Sequence, residues 1–211
     1  MSAARHRLLY SLGMSLRELK RTRTRRLLVD TAAELFERDG YDRTTVADIA
    51  AAAEIGTRTF FGYFASKEEL LFPESDERIR AVGDAIAARG PEDGPAEVLL
   101  RALRTVGEDS DEMAGPLAAL RMRLILTVPA VRGRALQIQL DAQREISRQL
   151  AAAFPDRLDE VAAAALTGAF IGAVTGALQV LLEDPDALDD PAAIQAAVRR
   201  ATDTALAPWL R

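Results

Sequence analysis

The segment Thr44–Leu71 constrains the fold of this chain more than any other part of the sequence. Its 28 residues hold the patterns of two short helices joined by a tight turn, followed by the start of another helix. The apolar residues recur at the spacing of one helical face: Val46, Ile49, Ala50, Ala53, Ile55, Phe60 and Phe64. This arrangement is typical of a helix-turn-helix, whose second helix lies in the major groove of DNA.

The second helix, predicted over Thr57–Phe64, has an outer face made of residue types that a DNA groove can accept. Arg58 can donate two hydrogen bonds to guanine, and Phe61 can pack on a thymine methyl group or a sugar. Hydroxyl and amine groups beside this face suit phosphate oxygens. The predicted DNA contacts in this region are Thr44, Thr45, Thr57, Arg58, Thr59, Phe61, Gly62, Tyr63 and Lys67.

Some of these aromatic and basic side chains have a second interpretation. Phe60 and Phe64, on the opposite face, are expected mainly to pack in the core. Tyr63 can cover the small core instead of contacting DNA. Lys67 can be a solvated residue in the first turn of the next helix.

Charge is distributed unevenly along the chain. The formal net charge is −5, yet residues 1–26 carry eight basic residues and one acidic residue. A basic end on an acidic body suits a polyanion, so Arg21, Arg23, Arg25 and Arg26 are predicted to reach phosphates or the minor groove. From the charge alone, a solvated basic tail is an equal alternative.

Composition argues against several classes of chemistry. The chain has no cysteine and one histidine, His6, which disfavours disulfides, thiolate metal sites and histidine-dependent catalysis. The sequence therefore predicts no catalytic residue, no metal and no cofactor. Without an evident secretory signal, a cytoplasmic location is expected. An enzyme with a helical core and a helical adaptor for other proteins remain the alternatives to DNA binding.

The whole chain has the pattern of an all-α protein. The first helix is predicted over Arg21–Asp39, and the second over Thr45–Ala53. A fourth helix, begun by a capping box at Ser66 and Glu69, is expected to kink or split at Pro73 and to resume from about Glu74 to Arg89. Pro73 is either a hinge in this helix or a simple boundary. Prolines precede five further helical patterns, at about 95–108, 116–127, 129–153, 155–183 and 190–207. The predicted total is nine helices.

The run Val161–Leu182 contains 22 residues without a charge. Its length could span a bilayer, but its Ala and Gly content and its polar residues favour a buried helix. Gly168, Gly172 and Gly176 share one face, where a second helix could approach closely. We expect this face to be a dimer interface, with a central helix of a monomer as the alternative.

The segment of about Arg21–Leu71 resembles the amino-terminal domain of TetR-family transcriptional regulators. The subpattern RTFFGYFASKEEL (Arg58–Leu70) is similar to one common in that family, in which Leu-Tyr more often stands in place of Phe60-Phe61. Glu54 departs from the family, which usually has Gly in the turn; a positive φ there would cost Glu about 1 kcal/mol. Phe61 also departs, because it replaces a tyrosine that usually donates to phosphate.

The resemblance implies a nine-helix TetR-like architecture with a larger carboxy-terminal domain for ligand binding and dimerisation. The implied domains are a flexible basic extension (1–20), a three-helix DNA-binding domain (21–72) and an effector and dimerisation domain (73–211). Residues 1–13 are either a mobile extension or precede a start at Met14. The implied partners are a double-stranded DNA operator, a second copy of the chain and an unidentified small-molecule effector, with no membrane.

The resemblance further implies a repressor that leaves its operator when a ligand binds, with activation left open as the alternative. The ligand would bind among the middle helices. Arg121 could meet an acidic ligand there, with a solvated position or an ion pair as the alternative. The candidate ligand-binding residues are Met113, Leu117, Arg121, Met122, Phe170, Val174 and Gln179.

Overall fold

In the computed structural model of the chain, the described residues are 15–109, 116–181 and 190–210. Within these ranges the secondary structure is helical, and no strand occurs. The α-helices are α1 (Leu16–Asp39), α2 (Val46–Ala52), α3 (Thr57–Phe60), α4 (Ser75–Ala87), α5 (Pro95–Asp109), α6 (Pro116–Thr127), α7 (Pro129–Ala153), α8 (Glu160–Leu181) and α9 (Pro191–Leu206). This confirms the predicted all-α fold and its nine helices for the described part of the chain.

The first of two structural units ends at Pro73. It contains α1, α2, α3 and a short 3₁₀ helix, Glu68–Leu71. Both α2 and the 3₁₀ helix pack against α1. The largest side chains that are almost completely buried in this unit are Leu28, Ile49, Phe60, Phe64, Leu70 and Leu71. The helix predicted from Ser66 is a 3₁₀ turn that no side-chain hydrogen bond caps, so the capping box expected there is wrong. The chain resumes as α4 after Pro73, which agrees with the split expected at that proline.

Helix α1 begins at Leu16, five residues before the predicted start. Ser15 caps it: the Glu18 amide donates to the Ser15 hydroxyl at 3.2 Å, and the Ser15 amide donates to the Glu18 carboxylate at 2.6 Å. Such reciprocal capping favours helix initiation. Leu16–Lys20, predicted to belong to a flexible extension, are thus helical, while residues 1–14 lie outside the described residues.

The second unit begins at Glu74 and contains α4 to α9. Helices α7, α8 and α9 pack side by side, and α4 packs against α5 and α7. Helix α8 begins at Glu160 instead of at Pro155, because the amides of Arg157 and Leu158 close turns on the Phe154 carbonyl. Most of the main core of this unit comes from α5, α7 and α8, including Val98, Leu99, Leu150, Ala163 and Leu166.

Helix α8 is the one described helix that is long and apolar enough to cross a membrane, with a mean hydropathy of 1.8. Length and composition alone do not establish a span. One face of α8 packs inside the unit, where Leu166 and Thr167 are fully buried. The opposite face is open, and Val161 and Val180 are 78% and 68% exposed.

The three glycines of α8 do not share one environment. A Cβ atom on Gly168 would lie 3.1 Å from Nε2 of Gln143 in α7. Gly172 and Gly176 have no such neighbour within 4 Å. Residues four apart in a helix differ by about 40° in direction, so the stripe turns from α7 toward the open face. Gly168 is half-buried beside α7, while Gly172 is exposed, so of these two glycines Gly172 is the more open to a second chain.

Candidate nucleic-acid interface

The supporting helix α2 is fixed at its start by a side-chain cap. The Thr45 hydroxyl donates to the Asp48 carboxylate at 2.6 Å, and the Asp48 amide donates back to that hydroxyl at 3.2 Å. The hydroxyl and the amide of Thr45 both donate to this carboxylate, which lowers the pKa of Asp48. Thr45, a predicted DNA contact, is exposed but holds this cap, which confirms the capping box expected there.

The turn between α2 and α3 contains a strained residue. Glu54 has a φ of 56°, the left-handed conformation that glycine adopts most easily. The turn is closed by the Ile55 amide, which donates to the Ala50 carbonyl at 2.9 Å. Glu54 therefore has a positive φ at the position of the turn where the similar pattern described in the sequence analysis usually has glycine.

The recognition segment, residues 57–64, is one α-helical turn followed by tighter turns. Helix α3 ends at Phe60 instead of at the predicted Phe64, since the amides of Gly62 and Tyr63 bond three residues back. The rings of Phe60 and Phe64 are buried, with centroids 6.0 Å apart. The exposed residues of the segment are Thr57, Arg58, Thr59, Phe61 and Gly62. The predicted inner and outer faces are thus present.

Two of the four predicted arginines of α1 contact the recognition segment. Arg25 donates to the carbonyl oxygens of Tyr63 and Pro73 at 3.0 and 2.8 Å. Its guanidinium also lies 4.2 Å from the ring centroid of Phe64. Arg21 is exposed and lies 5.4 Å from the ring centroid of Tyr63, which is half-buried.

The other two predicted arginines, Arg23 and Arg26, are exposed. Arg26 lies 3.9 Å from the carboxylate of Asp30, and both side chains are largely in solvent. Sequence reasoning missed Arg17 and Lys20, which are also exposed on α1. The Ser-x-x-Glu pattern of residues 15–18, which marks a helix start, could have placed both on this helix.

Lys67 braces the loop between α1 and α2. Its amine donates to the carbonyl oxygens of Tyr41 and Thr44 at 2.9 and 3.1 Å, and lies 4.0 Å from the ring centroid of Tyr41. The Thr44 side chain is 2% exposed, and its hydroxyl donates to the Gly40 carbonyl at 2.9 Å. Thr44 therefore has no exposed hydroxyl for a phosphate, which corrects the predicted contact.

The Tyr41 hydroxyl donates to the Glu68 carboxylate at 2.5 Å. Burial, and then this bond and the nearby negative charge, raise the pKa of Tyr41 well above its usual range. Burial acts to raise the pKa of Glu68, but hydrogen bonds from Ser66 and Tyr41 outweigh it and leave that pKa lowered. The pair ties the end of α1 to the 3₁₀ helix.

The candidate ligand residues do not form one group. Phe170 is part of the main core, and Gln179 is exposed, which corrects its expected place in a pocket. Arg121 is buried on α6 at 7% exposure. Leu117, Met122 and Val174 are half-buried, and Met113 lies outside the described residues. In the described ranges, no three His, Asp or Glu side chains are grouped as metal ligands.

Comparison with known proteins connects this geometry to a family. Residues 28–72 match the profile "Bacterial regulatory proteins, tetR family". Residues 93–205, more than half of the chain, match the profile "MftR C-terminal domain". One profile therefore falls within each of the two structural units.

Individual relatives agree with these profiles. The HTH-type transcriptional regulator TcmR of Streptomyces glaucescens is 36% identical over 145 residues, which is 66% of this chain and 64% of that regulator. A TetR-family transcriptional regulator from Syntrophomonas wolfei has a similar fold, with a TM-score of 0.61, 19% identity and coverage of 88% of this chain and 96% of that one.

A complex of SmeT with triclosan also has this fold. Its TM-score is 0.57 at 17% identity, over 88% of this chain and 90% of that one. SmeT is the repressor of the multidrug efflux pump SmeDEF of Stenotrophomonas maltophilia. From the profiles that match both of its units, this chain belongs to the TetR family of DNA-binding transcriptional regulators.

Proposed function

We propose that this protein is a cytoplasmic homodimeric repressor that binds a specific DNA operator and is released by a small molecule. The observation that carries the proposal is the recognition segment. Its outer face exposes Arg58 and Phe61, while its inner face is held by the buried rings of Phe60 and Phe64. A rigid inner face keeps the outer side chains in a fixed register on base edges.

The basic residues around this segment support binding to the DNA backbone. Arg17, Lys20, Arg21 and Arg23 are exposed on α1, the helix that also carries the contacts of Arg25. Positive side chains on phosphates release counterions, so binding weakens steeply as salt rises. Lys67 keeps its charge but has one amine donor left for a phosphate, since its other two already bond carbonyl oxygens.

A DNA footprint tests the proposal. DNA flanking the gene would be exposed to the wild-type protein, and the protected fragment would be titrated beside random DNA of equal length. We expect Arg58→Ala to lose about 5- to 150-fold of the preference for the protected fragment, the value of a bidentate base contact. Its affinity for random DNA should change little. Arg104→Ala, an exposed arginine of α5, is the matched control.

A lack of any protected fragment would contradict the proposal and favour a protein-binding adaptor. A preference that is unchanged in Arg58→Ala would contradict base recognition by this residue. If the protein is an activator, transcription from the protected promoter should be higher with the protein than without it, instead of lower.

The open face of α8 supports dimerisation. Val161, Gly172 and Val180 lie exposed on a helix that is otherwise apolar. A second copy would bury this face and would place two recognition segments on one operator. Such dimers read half-sites one helical turn of DNA apart.

The second unit is where we place the effector. The structurally similar SmeT is known in a complex with triclosan, a small molecule. Leu117 and Met122 of α6 and Val174 of α8 are half-buried apolar side chains that a ligand could displace. A ligand releases DNA only if it binds the released form better. The test is release of the protected fragment in a screen of small molecules.

A further inference from the structure

The guanidinium of Arg25 contacts three residues beyond α3. Its two terminal nitrogens donate to the carbonyl oxygens of Tyr63 and Pro73, at 3.0 and 2.8 Å. The central carbon of the guanidinium, Cζ, lies 4.2 Å from the ring centroid of Phe64. These contacts join α1 to positions 38 and 48 residues later in the chain.

The recognition segment needs such support. Helix α3 contains only four residues, and a helix this short is not stable by itself in water. The last carbonyl groups of a helical segment lack partners within it and favour a nearby positive charge. Arg25 supplies that charge and a hydrogen bond at Tyr63, one residue before the buried Phe64. The guanidinium thus acts as a cap provided by another helix.

The same contacts leave Arg25 poorly placed for DNA. Both terminal nitrogens are bonded to carbonyl oxygens, and the side chain is half-buried. Arg23, two residues earlier on α1, is exposed. The two arginines therefore differ in environment although the sequence places them in one basic cluster.

We infer that Arg25 is a positioning residue, which fixes the recognition segment against α1 and does not bind phosphate. The inference rests on the proposed DNA-binding function. Arg25 sets the angle at which Arg58 and its neighbours meet base edges. It therefore controls the preference for the operator over other DNA, a quantity that general fold stability does not change.

The test compares Arg25→Lys and Arg25→Ala with Arg23→Ala. Each variant is titrated with operator DNA and with random DNA at several salt concentrations. Urea unfolding first identifies a temperature at which every variant is folded without urea, and the titrations are done at that temperature. Lysine keeps the charge but cannot reach both carbonyl oxygens or stack as a plane. Arg25→Lys should therefore resemble Arg25→Ala, with operator affinity reduced about tenfold.

In both Arg25 variants, affinity for random DNA and the salt slope should stay as in the wild type. Arg23→Ala should weaken both DNAs alike and reduce the salt slope by about 0.9, as expected for one lost phosphate contact.

Three outcomes would overturn the inference. If Arg25→Lys binds as the wild type and Arg25→Ala lowers the salt slope, Arg25 is a phosphate ligand. If both variants are less stable but keep the operator preference once folded, Arg25 supports the fold only. If the wild type prefers no DNA fragment, the proposed function fails, and the inference fails with it. If the wild type prefers the operator but the Arg25 variants bind as described in either of the first two outcomes, only the inference about Arg25 fails.

Discussion

At the scale of single residues, Glu54 is the clearest departure from an easy backbone. Its φ of 56° is unfavourable for a side chain with a Cβ atom, by about 1 kcal/mol. Glu54→Gly should raise the free energy of unfolding by about 0.5–1 kcal/mol, because glycine adopts this φ without strain, while its greater freedom in the unfolded chain offsets part of the gain. Urea unfolding measures this change.

The matched control for that substitution is Glu54→Ala. It removes the charge but keeps the Cβ atom, so it should leave stability close to the wild type. An equal gain from both variants would show that the charge, and not the backbone conformation, is unfavourable.

The Tyr41–Glu68 pair predicts how stability changes at alkaline pH. Because the pKa of Tyr41 is raised above its usual value near 10, the unfolded chain loses this proton first as pH rises. Stability should therefore fall above pH 10, by about 1.4 kcal/mol per pH unit from this group. Urea unfolding at pH 9 to 11 should show a shallower fall in Tyr41→Phe.

Tyr63→Phe is the control, because it leaves the Tyr41–Glu68 hydrogen bond in place. The same shallow fall in both variants would contradict the assignment to Tyr41. At neutral pH, Tyr41→Phe should cost about 1–2 kcal/mol, since it leaves the Glu68 carboxylate without this donor.

The residue scale also shows what sequence patterns can and cannot predict. Helical spacing correctly placed Phe60 and Phe64 inside, because burial follows periodicity. Spacing could not show that Thr44 is buried or that Arg25 bonds Pro73, because these depend on contacts between distant segments. Arginine in a basic run has the same pattern whether it meets DNA or a carbonyl oxygen.

At the scale of elements, the start of α1 depends on Ser15. Its hydroxyl accepts from the Glu18 amide, and a lost cap of this kind costs about 1 kcal/mol. Ser15→Ala should therefore speed hydrogen exchange of the Glu18 amide about fivefold. Ser147→Ala, inside α7, should leave that amide unchanged. No change in Ser15→Ala would mean that Leu16–Lys20 are held by something other than this cap.

Helix boundaries were predictable where a proline begins the helix. The expected ranges 116–127 and 129–153 coincide with α6 and α7, because proline fits the first helical turn. The same rule was wrong at Pro155, because the Phe154 carbonyl closes a turn over the residues that follow it. Helix α8 starts later, where the Asp159 carboxylate accepts a hydrogen bond from the Ala162 amide at 2.7 Å. Proline marks a break in the preceding helix as readily as a new start.

At the scale of the whole molecule, the open face of α8 predicts self-association. Gly172 has no atom within 4 Å of its would-be Cβ, so the single chain has room for a side chain there. Gly172→Glu should fold but weaken a dimer at least about tenfold, because burying an unpaired carboxylate is costly. Sedimentation equilibrium measures the dissociation constant.

Gly133→Glu provides the matched control on α7, since Gly133 is a helical glycine with the same open surroundings. It should leave association unchanged. If it dissociates the dimer and Gly172→Glu does not, the interface lies on α7 and not on α8.

The contacts of Lys67 have a consequence for the chemistry of the whole chain. The sequence contains two lysines, Lys20 and Lys67, both in the DNA-binding unit. The Lys67 amine is bonded to two carbonyl oxygens, whereas Lys20 is exposed on α1. Among the side-chain amines, a reagent that acylates amines should thus modify Lys20 first. A fluorophore attached in this way would sit on the helix that carries the exposed arginines and leave the second unit unlabelled.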